Sequence, residues 1–204
     1  MKIQDIRVVK GSQKRRADHA VDRVFLDRWS PRAMSGEAMT DEELLILFEA
    51  ARWAPSSYNN QPWRILYAKR DSDHWPLFLD LLVEGNKVWA KNAAALLVFI
   101  SKTTFDANGK DSYTHSFDTG AAWENLALQG SLKGHVVHGM EGFDMKRAQS
   151  ALNIPDGFRL EAMAAVGKVG KKQGLPEKLQ QAESPNNRRN LAGTICEGPF
   201  NFKQ

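Results

Sequence analysis

Apolar positions follow two patterns along this chain, a helical period near 3.6 and continuous or alternating extended runs, and the two take turns. A short helix is expected over Asp18–Asp27, followed by a turn through Ser30-Pro31-Arg32. The clearest helical signal starts at Thr40. Thr40 and Glu43 have capping-box spacing, and Leu44, Phe48 and Ala51 then share one face, with Leu45 and Leu47 beside it. This helix stops before Pro55, because the residue preceding a proline is pushed out of the helical region. Ser56–Pro62 is polar and turn-prone, and Trp63–Ala68 reads as a strand. Ser72 or Asp73 is expected to cap a helix carrying Trp75, Phe78 and Leu82, and a further helical turn covers Asn86–Lys91. The apolar run Ala93–Ile100 predicts a central strand, Ala94–Ile100, buried on both faces. Ser116–Lys133 predicts a long helix packed through Ala122, Leu126 and Gln129 or Leu128, with Gly134 as its stop. His135–His138 and Arg159–Val166 follow as strands, separated by a helix that Asp144 caps and that ends near Leu152. From Gly167 the tail reads as an irregular arm closing on a strand at Gly193–Cys196.

Helices alternating with single strands indicate a layered α and β arrangement without fixing the strand directions. The 204 residues fit one domain, read as residues 21–204, with residues 1–20 as an N-terminal extension. No apolar run approaches the length of a membrane span, so no membrane association is expected. The first twenty residues are charged and lack the apolar stretch of a signal peptide. Cys196 is the only cysteine, which excludes an internal disulfide and suits a reducing, cytoplasmic setting. The net charge is +4. The positive residues are interleaved with Asp and Glu except at Lys14-Arg15-Arg16, which is read as a solvated face and not as a nucleic-acid patch.

The chain has no G-x-S-x-G, H-E-x-x-H, P-loop, CxxC or Rossmann glycine pattern. His19, His74, His115, His135 and His138 show no metal-ligand spacing, so no metal is expected. Three polar clusters remain. Arg28-Trp29-Ser30-Pro31-Arg32 sets two arginines around a serine, and arginine's planar fork suits a phosphate. Ala54-Pro55-Ser56-Ser57-Tyr58-Asn59-Asn60-Gln61-Pro62-Trp63 gathers hydroxyls and amides that can read the edge of a heteroaromatic ring. Gly139-Met140-Glu141-Gly142-Phe143-Asp144 joins a strand to a helix, with glycines that admit a flat ligand close to the backbone.

In this order, these segments resemble the FMN-dependent nitroreductase family. The resemblance rests on an R-x-S-x-R element (Arg28, Ser30, Arg32), a P-S-S-x-N-x-Q-P-W loop (Pro55 to Trp63), an asparagine before the central strand (Asn86), the E-G-F-D stretch at Glu141–Asp144, and a late arginine (Arg188, with Arg189 adjacent). It runs from about Arg28 to Gly198. It implies an α+β sandwich whose mainly antiparallel central sheet is flanked by helices. It also implies a homodimer whose C-terminal arm is exchanged, with FMN sites at the interface. Arg28 and Arg188 would hold the FMN phosphate, assisted by Trp29 and Ser30, and Arg32 would face the pyrimidine end of the ring. Asn86 would bond the ring's polar edge. Pro55, Ser56, Ser57, Asn59 and Gln61 would reach the flavin of the other subunit. Met140, Glu141 and Gly142 would lie by the flavin N5. Asn186 would stand near the cofactor where one branch of the family has a lysine; Trp89 occupies another such position. The activity implied is ping-pong transfer from NADH or NADPH to a nitroaromatic, a quinone or a similar small acceptor. Dehalogenation or flavin cleavage is the alternative within the same fold, and an anion- or nucleic-acid-binding module the alternative outside it.

Overall fold

The apolar run forms the middle of the molecule. In the computed structural model, which describes residues 9–202, strand β2 is Ala95–Lys102 and every residue from Ala95 to Ser101 is buried. Both faces of this strand are covered, as an unbroken apolar sequence requires. β1 (Trp63–Lys69) pairs on one side of it and β4 (Phe158–Lys168) on the other, and β3 (His135–Met140) pairs with β4 at the edge. All three pairings are antiparallel.

Side chains of adjacent strand residues point to opposite faces, and two apolar clusters result. Leu96, Val98, Ile100, Val136, Met163 and Ala165 pack with Phe78, Leu81, Trp89 and Ala148. These come from α3 (Trp75–Asp80), α4 (Glu84–Ala90) and α6 (Met145–Ala151), with Leu81 just past α3. Ala95, Leu97, Phe99, Val137, Ala164 and Val166 pack instead against Leu44, Leu47 and Ala51 of α2 (Asp41–Arg52) and Ala122 and Leu126 of α5 (His115–Leu132). The architecture is therefore an antiparallel sheet flanked by helices, the α+β sandwich expected. No helix among the described residues is long and apolar enough to cross a membrane.

The strongest local signals act as expected. Thr40 and Glu43 form a capping box, Asp144 caps α6 by accepting from the Arg147 N–H, and Gly134 takes a φ of +76° after α5. Other expectations are corrected. The first helix, α1 (Arg23–Asp27), is capped by Asp22, so the segment from Asp18 is not helical. Neither Ser72 nor Asp73 caps α3. Ser72 donates to the Lys69 carbonyl in a turn, and α3 starts after His74 with Pro76 in its first turn. Leu82 lies beyond α3 and bridges Phe143. The arm carries α7 (Glu177–Ala182). No strand forms at Gly193–Cys196; Leu191–Gly193 makes a 3₁₀ turn that the Asn190 side chain caps.

On α5 the inner face ends in Gly130, whereas Gln129 and Leu128 are only partly buried. A Cβ at Gly130 would lie 2.5 Å from Val137 Cγ2. Val137 is β-branched and held in the sheet, so it cannot swing away. Gly130→Ala should therefore destabilise the fold by about 1–3 kcal/mol through overpacking, measured as a lower urea midpoint at unchanged slope. Equal or greater stability would show that the helix can lift off the strand at no cost.

Candidate active site

The site grows from the end of β3, where the chain reads His138-Gly139-Met140-Glu141-Gly142. Trp123 of α5 lies against Gly139. A Cβ there would sit 3.0 Å from the indole, so glycine lets strand and ring approach this closely. Beside them is a cavity of about 410 Å³ whose walls include Phe99, Thr119, Trp123, Gly139, Met140 and Glu141, a size suited to a small organic ligand. Trp123 Nε1 and Thr119 Oγ1 are buried without a hydrogen-bond partner among the described residues. Buried polar atoms are normally satisfied, so these two have hydrogen-bonding capacity to spare. Asn86 of α4 donates through Nδ2 to the Gly142 carbonyl at 3.0 Å, which fixes the turn after β3.

A second pocket of about 270 Å³ collects Arg15, Arg28, Trp29, Ser30, Arg32, Asn186 and Arg188 with His138, and no Asp or Glu is among its lining residues. Arg28 joins the two spaces. Its guanidinium lies 5.9 Å from the centre of the Trp123 ring, Nη1 donates to Ser30 Oγ at 3.3 Å, and Nε is 3.4 Å from Glu124 Oε1. Arg188 donates to Asn186 Oδ1 at 3.1 Å. Arg28, early in the chain, and Arg188, late in it, line the same pocket, and Arg189 is not in this lining. Arg32 lines the same pocket as Arg28 and Arg188.

Two residues of this site escape a reading of the sequence. Arg15, expected on a solvated face, is only 7% exposed. It donates to the Asn186 carbonyl at 2.8 Å and to the carbonyls of Leu26 at 3.0 Å and Arg28 at 2.6 Å. One guanidinium thus ties the N-terminal segment, the end of α1 and the C-terminal arm together. Burial, then Arg188 and Arg28, weaken its hold on its proton. Glu183 is the other. Its Oε1 accepts the backbone N–H groups of Arg32 at 2.7 Å and Ala33 at 2.8 Å, which docks the start of the arm beside the arginine loop. The only prior sign was the Lys14-Arg15-Arg16 cluster; nothing marked Glu183.

The loop from Pro55 to Gln61 lines neither pocket of its own chain. Ser57 N–H donates to Asp118 Oδ2 at 3.1 Å, and Gln61 N–H to Ser56 Oγ at 3.0 Å. Tyr58, Asn59 and Gln61 have φ of 50°, 54° and 49°, a left-handed conformation that costs roughly 1–2 kcal/mol per residue other than glycine. Tyr58 is 93% exposed.

A model of the Nitroreductase family matches residues 26–88. A solved structure described as "the oxidoreductase containing FMN" is 48% identical to this chain, with a TM-score of 0.90 over 96% of this chain and 100% of that one. The chain belongs to the nitroreductase family. A 15.4 kDa protein in the ask 5′ region of Mycolicibacterium smegmatis is 32% identical over 107 residues, which are 51% of this chain and 68% of that protein. A nitroreductase family protein from Streptococcus pneumoniae TIGR4 shares the fold at 18% identity, with a TM-score of 0.66 over 84% of this chain and 96% of that one.

In this chain, the two positions where branches of the family carry lysine serve other ends. Trp89 is 1% exposed in the core, with the His138 ring centre 4.6 Å from its own and the two planes tilted by 47°. Asn186 aligns Arg15 and Arg188 through its carbonyl and amide oxygens. His138 Nδ1–H donates to the Pro31 carbonyl at 2.9 Å. Burial drives the His138 pKa from 6.5 down to about 4, the Pro31 bond opposes the drop, and Arg32 adds to it. The imidazole is therefore neutral, and the pocket's positive charge comes from its arginines.

Two outcomes are expected. His138 binds its proton more weakly folded than unfolded, so its contribution is complete above about 6.5 and is lost as pH falls towards about 4. The loss is about 3 kcal/mol. Urea denaturation of wild type and His138→Gln across this range should give a steeper acid loss for wild type; parallel curves would refute it. Arg15→Met removes three donors to backbone carbonyls, each charged bond being worth roughly 1.5–3 kcal/mol. Tryptic cleavage after Arg188 or Arg189 of the arm should then quicken at least about tenfold by mass spectrometry. Unchanged cleavage would show that other contacts hold the arm.

Proposed function

We propose that this chain is an FMN-dependent oxidoreductase that works as a homodimer and transfers electrons from NADH or NADPH to a small acceptor such as a nitroaromatic or a quinone. One observation carries the reading: Arg28, Ser30 and Arg188 line a pocket without carboxylates, and Arg28 extends from it to Trp123 in the wall of the cavity beside Gly139. The relative at 48% identity is described as containing FMN.

The residues present fit that group. A dianionic phosphate between Arg15, Arg28 and Arg188 answers the unbalanced charge and accepts charge-assisted hydrogen bonds. Gly139 and Trp123 leave a slot for a flat ring, and Trp123 Nε1 and Thr119 Oγ1 have hydrogen bonds still to make. When bound, FMN would supply two-electron redox chemistry between the nicotinamide and the acceptor. The chain's own share is position and charge. Asn86 holds the turn at Gly142, which would keep the backbone of Glu141 and Gly142 in place for the ring. Arg32 lines the same pocket as Arg28 and Arg188 and would add a fixed cation that favours the reduced, more negative flavin.

The second subunit accounts for two further observations. Trp53 of the α2 end, Phe117 of α5 and Tyr113 before it are 72%, 80% and 98% exposed, large apolar surfaces that a partner covers. The strained Pro55–Gln61 loop serves neither pocket of its own chain, and in the dimer it covers the ring held by the partner, while the arm beyond Arg188 crosses over. Pro55, Ser56, Ser57, Asn59 and Gln61 contact FMN from that side.

Purified protein should be yellow, dimeric by sedimentation, and bleached anaerobically by NADH or NADPH. Arg28→Ala removes about two charge-assisted bonds and should weaken FMN binding about a hundredfold by fluorescence titration. Colourless protein that takes up no added FMN would overturn the reading.

A further inference from the structure

The cavity beside Gly139 has a polar end that no motif marks. Ser116 and Glu161 belong to its wall, across from Glu141. Glu161 arrives there through a β-bulge. Phe99 pairs with Ala162 and Ile100 pairs with Leu160, so Glu161 is the extra residue of β4 and has no partner on β2. Such an insertion re-aims a side chain, and here Glu161 and Ala162 both face the cavity although they are adjacent in sequence.

The carboxylate ends a hydrogen-bonded line. Ser101 Oγ donates to Glu161 Oε1 at 2.5 Å and Ser116 Oγ donates to the same oxygen at 2.7 Å. His115 Nδ1 lies 2.7 Å from Ser101 Oγ. Since the Ser101 hydroxyl gives its proton to Glu161, its oxygen receives the Nδ1–H of His115. The other charged groups near Glu161 are Arg159, whose Nε is 3.8 Å from Oε2, and Glu141 across the cavity. The side chains of His115 and Glu161 are 15% and 18% exposed, so the line runs from a partly solvated imidazole, through a fully buried hydroxyl, to the cavity wall.

We propose that Glu161 is the catalytic proton donor to the electron acceptor, resupplied through Ser101 from His115. The proposal rests on the flavin reading above. An acceptor that takes up hydride gains two electrons and one proton and is left with one negative charge. A quinone so reduced carries that charge on oxygen, and one more proton completes the hydroquinone. Glu161 acts as the acid with its proton on Oε2, the oxygen that neither serine bonds, and this O–H bond breaks as the acceptor O–H bond forms. The proton of Ser101 then passes to Glu161 while the Nδ1 proton of the His115 imidazolium passes to Ser101, and the imidazole left neutral takes a proton from water, which departs as hydroxide. Ser116 positions the carboxyl group.

The experiment uses the holoenzyme and separates the half-reactions by stopped flow, with NADPH or NADH as reductant and benzoquinone as oxidant. General acid catalysis contributes upward of about a hundredfold, so Glu161→Gln should slow reoxidation by about that factor and flatten its pH profile, while the reductive half keeps its pH profile. His115→Asn should slow reoxidation in the same direction and serves as the second variant should Glu161→Gln not fold. A readout free of turnover is calorimetry of 4-nitrophenolate binding to the oxidised holoenzyme in two buffers of different ionisation enthalpy. Wild type should take up a proton with the phenolate, and Glu161→Gln should take up none. Reoxidation at the wild-type rate with undiminished proton uptake in the variant overturns this proposal alone, since such a protein still carries FMN. Failure of the wild-type chain to bind FMN overturns both.

Discussion

Like charges gathered in one place repel, and the second pocket sets the guanidinium groups of Arg15, Arg28, Arg32 and Arg188 around one small space. Two unit charges about 4 Å apart interact by roughly 4 kcal/mol near a protein surface, so such a gathering stands only if something opposes it. Within the chain that opposition is modest. Glu124 offsets Arg28, the carbonyls of Leu26, Arg28 and Asn186 surround Arg15, and Asn186 Oδ1 aligns Arg188. The neutrality of His138 keeps a further cation away. What is left over is a positive field aimed into the pocket, and the rest of the site is arranged around it.

The sheet supplies the rigidity this field needs. β3 is an edge strand, yet its end is pinned by Trp123 against Gly139 and by Asn86 at Gly142. Arg28 reaches from the charged pocket to the face of the same Trp123, which lines the neighbouring cavity. Cation–π contact of this kind is worth about 0.5–2 kcal/mol, enough to hold the two in register without freezing either.

Much of this was legible in the sequence, for local reasons. The unbroken apolar run announced a strand covered on both faces, the Thr40–Glu43 spacing announced a helix start, and the polar loop from Pro55 to Trp63 was too rich in amides and hydroxyls for an ordinary turn. What stayed hidden depends on distance in space between residues far apart in the chain. Arg15 looked like part of a solvated triplet because its partners at Asn186 lie 171 residues away. Glu161 looked like one polar position in an alternating strand, and nothing in the pattern shows that the register slips there. Thr194, Ile195 and Cys196 favour extended structure one residue at a time, but among the described residues no neighbouring strand is there to pair with them, and the Asn190 cap bends the preceding residues instead.

That charged pocket is assembled from both halves of the polypeptide. Arg15 is made early in translation and Arg188 late, and the first reaches the second through Asn186. The sheet and its flanking helices are complete in sequence by Lys168, so they can condense on a nascent chain while the arm is still being synthesised. The charged pocket cannot. Its final wall arrives only with the last part of the chain, so the scaffold can take shape before the pocket that stands on it.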